Sequence, residues 1–101
     1  MKRHELKTDP DVFQSVLEGR KTYEIRKNDR GFAVGDELLL RETRCTGAEI
    51  AAGRLLEYTG RELTVGVSHM LTGPVYGLSE GWSILSIQPP KGRDSILGEQ
   101  K

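Results

Sequence analysis

Arg20-Lys21-Thr22-Tyr23-Glu24-Ile25-Arg26-Lys27-Asn28-Asp29-Arg30 gathers five basic and two acidic side chains into one short stretch. Over residues 22–27 the pattern has the period of two that a strand requires. Tyr23 and Ile25 fall on one face, and Thr22, Glu24 and Arg26 on the other. The expectation is a strand that buries Tyr23 and Ile25 and shows Glu24 and Arg26 as a wall for a polar ligand. The competing reading is structural. Charged residues on a strand face are more often simply solvated, and Glu24 could pair with Arg26, or either with Arg30, to blunt a sheet edge.

Upstream, residues 4–7 (His4-Glu5-Leu6-Lys7) read as a first strand. Thr8 or Asp9 then caps a helix that has Pro10 at its first position and Asp11 in its first turn, as the helix dipole favours. Phe13, Val16 and Leu17 recur at i, i+3 and i+4, one apolar stripe to lay on a sheet. Gly19 is a natural stop in the left-handed conformation. Lys21 therefore stands at a helix-to-strand corner, where its ammonium can swing to either face.

Downstream, residues 31–36 read as a loop with a turn at Gly35-Asp36. Residues 37–42 hold Leu38-Leu39-Leu40, short enough for a strand buried on both faces. Residues 43–53 suit either a helical turn over 48–52 or a loop, given Gly47 and Gly53. Residues 54–58 and 61–71, joined by Thr59-Gly60, carry a hairpin signal. In the second run Leu63, Val65, Val67, His69 and Leu71 share a face, which predicts a partly buried His69. Gly73-Pro74 ends that run, and residues 75–81 form a loop. Residues 82–88 make a last strand that offers Ile84, Leu85 and Ile87 to the core. Pro89-Pro90 closes it, so a domain over residues 1–88 and a loose or weakly docked tail over 89–101 are expected. Five to six mostly antiparallel strands with one early helix point to a mainly β fold with some α, a small curled sheet or barrel.

With 101 residues, 36% hydrophobic and 30% charged, the chain has the composition of one globular domain. No apolar run approaches the roughly 18 residues of a spanning helix, and no signal-peptide core follows Met1-Lys2-Arg3, so a cytoplasmic location without membrane contact is expected. The single cysteine, Cys45, excludes an internal disulfide and a cysteine zinc cage. Two histidines are too few for a histidine-rich metal site, and no phosphate-cradling glycine loop or Gly-x-Ser-x-Gly turn is present. No metal or other cofactor is expected. A net charge of zero argues against a binder of long duplexes. The charge is uneven, however: residues 1–30 carry eight basic and six acidic groups, and 31–101 carry seven and nine. A local positive site suits a small anion, a nucleotide or a short single strand.

The candidate site is thus Lys21, Glu24, Arg26, Asp29 and Arg30, with His4 and Lys7 on the neighbouring strand. A guanidinium presents a fork to a phosphate or to the acceptor edge of a base. A carboxylate can accept from an exocyclic amine or act as a base, and a lysine in a cleft can steady an oxyanion.

His4-Glu5-Leu6-Lys7, the run from Val16 to Arg30, Val34-Gly35-Asp36 and Thr59-Gly60-Arg61 together resemble a family of small uncharacterised bacterial and phage proteins in the ASCH branch of the PUA-like superfamily. The resemblance covers residues 4–87, and its specific part is Gly19 to Arg30 with Val34-Gly35-Asp36. It implies a PUA-like pseudo-barrel with its helix beside a cleft, and a role in binding RNA or a modified nucleoside. It also implies an alternative, because one ASCH group resembles this chain at the Gly-Arg-Lys-Thr-x-Thr-x-Arg pattern over residues 19–26. Those proteins are amidohydrolases that deacetylate N4-acetylcytidine with a lysine, a threonine and a glutamate. Lys21 matches their lysine and Arg26 the arginine that follows, whereas Glu24 stands where they have the catalytic threonine. Their glutamate has Glu62 and Glu80 as candidates by position. By this route Lys21 and Glu24 would be catalytic, with Glu24 as base. A third reading is a protein-interaction module whose basic strand meets an acidic partner.

Overall fold

Leu6, Leu38, Leu40, Val65 and Leu85 are withdrawn almost completely from solvent, and the strands are arranged around them. The computed structural model describes residues 1–88 and the backbone of residues 96–97. The elements are β1 (Arg3–Thr8), α1 (Pro10–Leu17), β2 (Tyr23–Lys27), β3 (Glu37–Thr43), α2 (Gly47–Ala51), β4 (Tyr58–Thr72), β5 (Trp82–Gln88) and β6 (Ile96–Leu97). They form one sheet in the order β1-β3-β4-β5-β2, with β6 on β4. All pairings are antiparallel except β1 with β3. The protein is therefore mainly β, with two helices among the described residues.

A long central strand makes the sheet curl. The first part of β4 pairs with β3, from Gly66 opposite Glu37 to Tyr58 opposite Thr43. Its second part pairs with β5, from Gly66 opposite Gln88 to Thr72 opposite Ser83. The free edges, β1 and β2, then face each other without a ladder between them. Two arginines span the gap: Arg26 Nη2 donates to the Lys7 carbonyl at 3.1 Å and Arg30 Nη1 to the Glu5 carbonyl at 2.6 Å. The result is a half-barrel with an arginine-bridged seam.

The α1 helix lays Phe13 and Val16 on the core, with Leu17 partly buried, as its stripe predicts. It ends at Gly19, whose φ of +80° is the left-handed stop. No helix is long and apolar enough to cross a membrane among the described residues.

Five expectations are corrected by the structure. In β2 the faces are exchanged: Tyr23 is 44% exposed and Ile25 48%, whereas Glu24 is 3% exposed. As an edge strand, β2 turns its charged face into the seam, where cations from neighbouring residues neutralise the carboxylate. Thr59-Gly60 is no hairpin turn, since β4 runs through it. Three residues of β4 lie between Tyr58 and Glu62 where β3 has one between Arg41 and Thr43. Gly60, at φ +98°, takes up this bulge. Glu42 ties the bulge down, its Oε1 accepting from Thr59 Oγ1 at 2.7 Å and Arg61 Nε at 3.0 Å. A second irregularity between Val67 and His69 reverses the alternation, so His69 is exposed rather than partly buried. Leu39 is half-buried, while its neighbours Leu38 and Leu40 fill the core. Ile84 is likewise half-buried beside Leu85 and Ile87.

The tail expected to be loose lies outside the described residues except at β6, where Ile96 pairs with Leu63 and Leu97 with Glu62.

Candidate functional site

The exit of α1 sets the position of Lys21. Gly19 N donates to Val16 O at 3.0 Å, and the backbone N–H groups of Arg20 and Lys21 both donate to Ser15 O, at 2.9 and 3.0 Å. The chain thus coils tightly off the helix and enters β2 with Lys21 at the corner. From there its ammonium donates to the Tyr23 carbonyl and to Glu24 Oε2, the latter at 3.0 Å. It also lies 4.5 Å from the centre of the Tyr23 ring. Arg26 Nε donates to the other carboxylate oxygen of Glu24 at 3.3 Å. An isolated buried carboxylate costs several kcal/mol in lost hydration. A cation on each oxygen offsets that cost here, which is why Glu24 can face inward.

This triad stands on the wall of a cleft of about 790 Å³. The seam strands β1 and β2 form two sides, and α2 with Val12 of α1 closes a third. The apolar lining comes from Leu6, Val12, Phe32, Ile50 and Ala51, together with the half-exposed Tyr23, Ile25 and Trp82. Lys7, Lys21, Arg26, Lys27 and Arg30 line it against Asp9, Glu24 and Asp29, so positive charge prevails.

Most of the residues singled out in the sequence converge on this cleft: Lys7, Lys21, Glu24, Arg26, Asp29 and Arg30 all line it. His4 does not. Its Nε2 is 2.9 Å from Asp36 Oδ2, both side chains are buried, and its ring meets Phe32 edge-on at 4.7 Å. Asp36 also accepts from Lys2 N and Ala33 N, each at 3.0 Å. The pair therefore staples the start of β1 to the loop before β3, and its bearing on the cleft is through the seating of Phe32.

Residues 43–53, which suit either a helical turn over 48–52 or a loop by sequence, form the helix α2, and its place as a wall of the cleft is not anticipated there. The signal for this helix is Thr46-x-x-Glu49, a reciprocal capping box in which Thr46 Oγ1 accepts from Glu49 N at 3.0 Å and Glu49 Oε1 accepts from Thr46 N at 2.8 Å. Asp9 occupies the N-cap position of α1 but makes no side-chain cap bond there. Its Oδ1 instead accepts from Gly47 N at 2.9 Å and draws α2 against the first helix.

A donor count indicates what the cleft can recognise. Both oxygens of Glu24 are engaged. Arg26 uses two of the five N–H groups of a guanidinium, and Arg30 uses one. Lys21 uses two of its three. The unspent capacity is donor capacity, matched to phosphate, carboxylate or carbonyl oxygens.

Two buried carboxylates away from the cleft are shifted in acidity. Asp36 lies below its ordinary value of 3.8, chiefly through the hydrogen bond with His4 and next through that from Lys2 N, with burial opposing. Glu42 lies below 4.5, chiefly through its hydrogen bonds with Arg61, with burial opposing and Thr59 adding to the fall. Among the described residues, no group of three His, Cys, Asp or Glu side chains is placed to hold a metal ion.

With this geometry in view, residues 3–87 match the model of a family described as "Domain of unknown function (DUF3850)". The chain belongs to that family. The match takes in β1 to nearly the end of β5 and therefore every strand and helix that lines the cleft. Over 41 residues this DUF3850 chain is 49% identical to "Uncharacterized 12.9 kDa protein in GpA 3'region" of Escherichia phage P2. That alignment covers 41% of this chain and 38% of the phage protein.

Proposed function

We propose that the seam cleft binds RNA or a nucleoside-type ligand, and that the half-barrel is a PUA-like domain of the ASCH branch. The observation that carries the reading is the Lys21–Glu24–Arg26 triad. A buried carboxylate holds two cations at the wall of a cleft lined by apolar groups on another side. Such a cleft offers an apolar surface to a base and oriented donors to its carbonyl edge or to a phosphate. Lys21 and Arg26 make those contacts, Arg30 and Lys7 add positive charge, and Glu24 keeps the two donors in register. The test is a binding titration of wild type and the Lys21→Ala/Arg26→Ala double variant with a single-stranded RNA pool and with common modified nucleosides. The double variant is expected to bind at least about tenfold more weakly. Equal binding by the two proteins would remove the cleft from the function.

A second reading is amide hydrolysis on an acylated nucleoside such as N4-acetylcytidine. What favours it is the 3.0 Å separation of Lys21 Nζ and Glu24 Oε2, within proton-transfer reach. Glu24 would take a proton from the attacking water and return it to the departing N4 nitrogen as the C–N bond breaks, Lys21 would steady the oxyanion, and acetate and cytidine would leave. Release of cytidine at a rate no greater than that of a Lys21→Ala control eliminates this reading.

A further inference from the structure

The exchanged faces of β2 have a consequence outside the cleft. Tyr23, Ile25 and Lys27 point away from the core, and the antiparallel register sets Ser86, Ile84 and Trp82 of β5 opposite them. On the far side of β5, His69 and Leu71 of β4 stand opposite Ser86 and Ile84. The outer face of this wing therefore has three rows, Tyr23 with Ser86 and His69, Ile25 with Ile84 and Leu71, and Lys27 with Trp82. Tyr23, Ile25 and Trp82 are 44%, 48% and 39% exposed, three large side chains on one small face. The aromatic rows are four residues apart, roughly 13 Å along the strand, with aliphatic side chains between them. No acidic residue occupies any of these positions, while Lys27 lies beside Trp82 and Lys21 sits over the Tyr23 ring.

We propose that this face is a stacking platform for single-stranded nucleic acid, continuous with the cleft, and that the ligand is an oligonucleotide rather than a free nucleoside. The inference rests on the cleft reading and adds its extent: one nucleotide enters the seam, and flanking bases lie on Tyr23 and Trp82. Two features select a nucleic acid over other occupants of an apolar face. Aromatic rings spaced along a strand accept successive bases whatever their identity, and Lys27, on a face whose register positions hold no acidic residue, complements a phosphate backbone. The two aromatic residues also line the cleft, so one strand can reach both surfaces.

Trp82 is the only tryptophan in the chain, so its emission reports on this face and on the part of the cleft that it lines. The probes are an adenosine octaribonucleotide and adenosine 5′-monophosphate, titrated into the full chain at two salt concentrations. The octamer is expected to quench Trp82 saturably and to bind at least about tenfold more tightly than the mononucleotide. Tyr23→Ala and Trp82→Ala should each weaken octamer binding roughly 5- to 150-fold, the range for loss of one stacked base. His69→Glu, outside the cleft, should weaken the octamer about threefold or more through repulsion and leave the mononucleotide unaffected. If Trp82→Ala does not fold, the Tyr23→Ala titration read by Trp82 emission decides. An octamer that binds no tighter than the mononucleotide, or that leaves Trp82 emission unchanged, overturns the platform while the Lys21/Arg26-dependent cleft stands. Failure of both probes to bind removes both readings. A concentration-dependent dimer abolished by Trp82→Ala, with no octamer quenching, would assign the face to a second copy and overturn the proposal.

Discussion

Arg26 Nη2 donates across the seam to the carbonyl oxygen of Lys7 at 3.1 Å, joining two edge strands that share no ladder. The same guanidinium holds Glu24 through its Nε. One side chain thus shares in closing the half-barrel, with Arg30, and holds the buried carboxylate of the cleft. Lysine, with a single point of donation on a flexible stem, reproduces that double reach poorly.

Arg26→Ala is expected to destabilise the fold by about 1–3 kcal/mol, the scale for losing hydrogen bonds to a charged group. Arg26→Lys should recover only part of the loss. Urea unfolding followed by Trp82 emission measures both. A change below about 0.5 kcal/mol for Arg26→Ala would show that the seam is held by other contacts.

Within β3, adjacent leucines should behave differently. Leu38 is fully buried and Leu39 only half-buried. Leu38→Ala should cost about 2–5 kcal/mol, and Leu39→Ala clearly less, because the second leaves a smaller cavity. Equal losses in denaturant midpoint, at unchanged slope, would contradict the register of β3.

His4→Ala should lower stability by about 1–3 kcal/mol, because Asp36 keeps its buried carboxylate and loses a partner. Ligand affinity should remain within about twofold of wild type when measured well below the melting temperature. Loss of binding equal to that of Lys21→Ala would return His4 to the site.

Acid should weaken the fold in a defined window. Asp36 and Glu42 are depressed in the folded state by His4 and Arg61 respectively. The unfolded chain therefore binds protons first, and both contributions are complete above the ordinary values of 3.8 and 4.5. Each is lost as pH falls through its lower, folded value. Denaturant midpoints should be level from about pH 7 to 5.5 and drop below about pH 4.5. Glu42→Gln should lower stability at neutral pH and flatten part of that drop. A midpoint that rises on acidification would reverse the assigned sign.

Much of the architecture is legible in local pattern. Phe13, Val16 and Leu17 mark one helix face, Gly19 its stop, and the run of leucines around Leu38 a core strand. Convergence of Lys7, Lys21, Glu24, Arg26, Asp29 and Arg30 can be anticipated from residue type and proximity along the chain. Two bulges defeat the same reasoning. A positive φ at Gly60 reads as a turn until Glu42 and Arg61 are seen to carry the strand through it, and the irregularity before His69 inverts a parity that alternation alone assigns inward.

The sequence by itself determined where β1, α1, β2, β3 and β5 lie and which residue types could do chemistry, since capping and periodicity preferences are local. Tertiary structure alone decided that Glu24 faces inward and Tyr23 and Trp82 outward. Burial of a carboxylate depends on what lies beside it, and its second partner, Arg26, is set in turn by the Lys7 carbonyl on a strand that only folding brings across the seam.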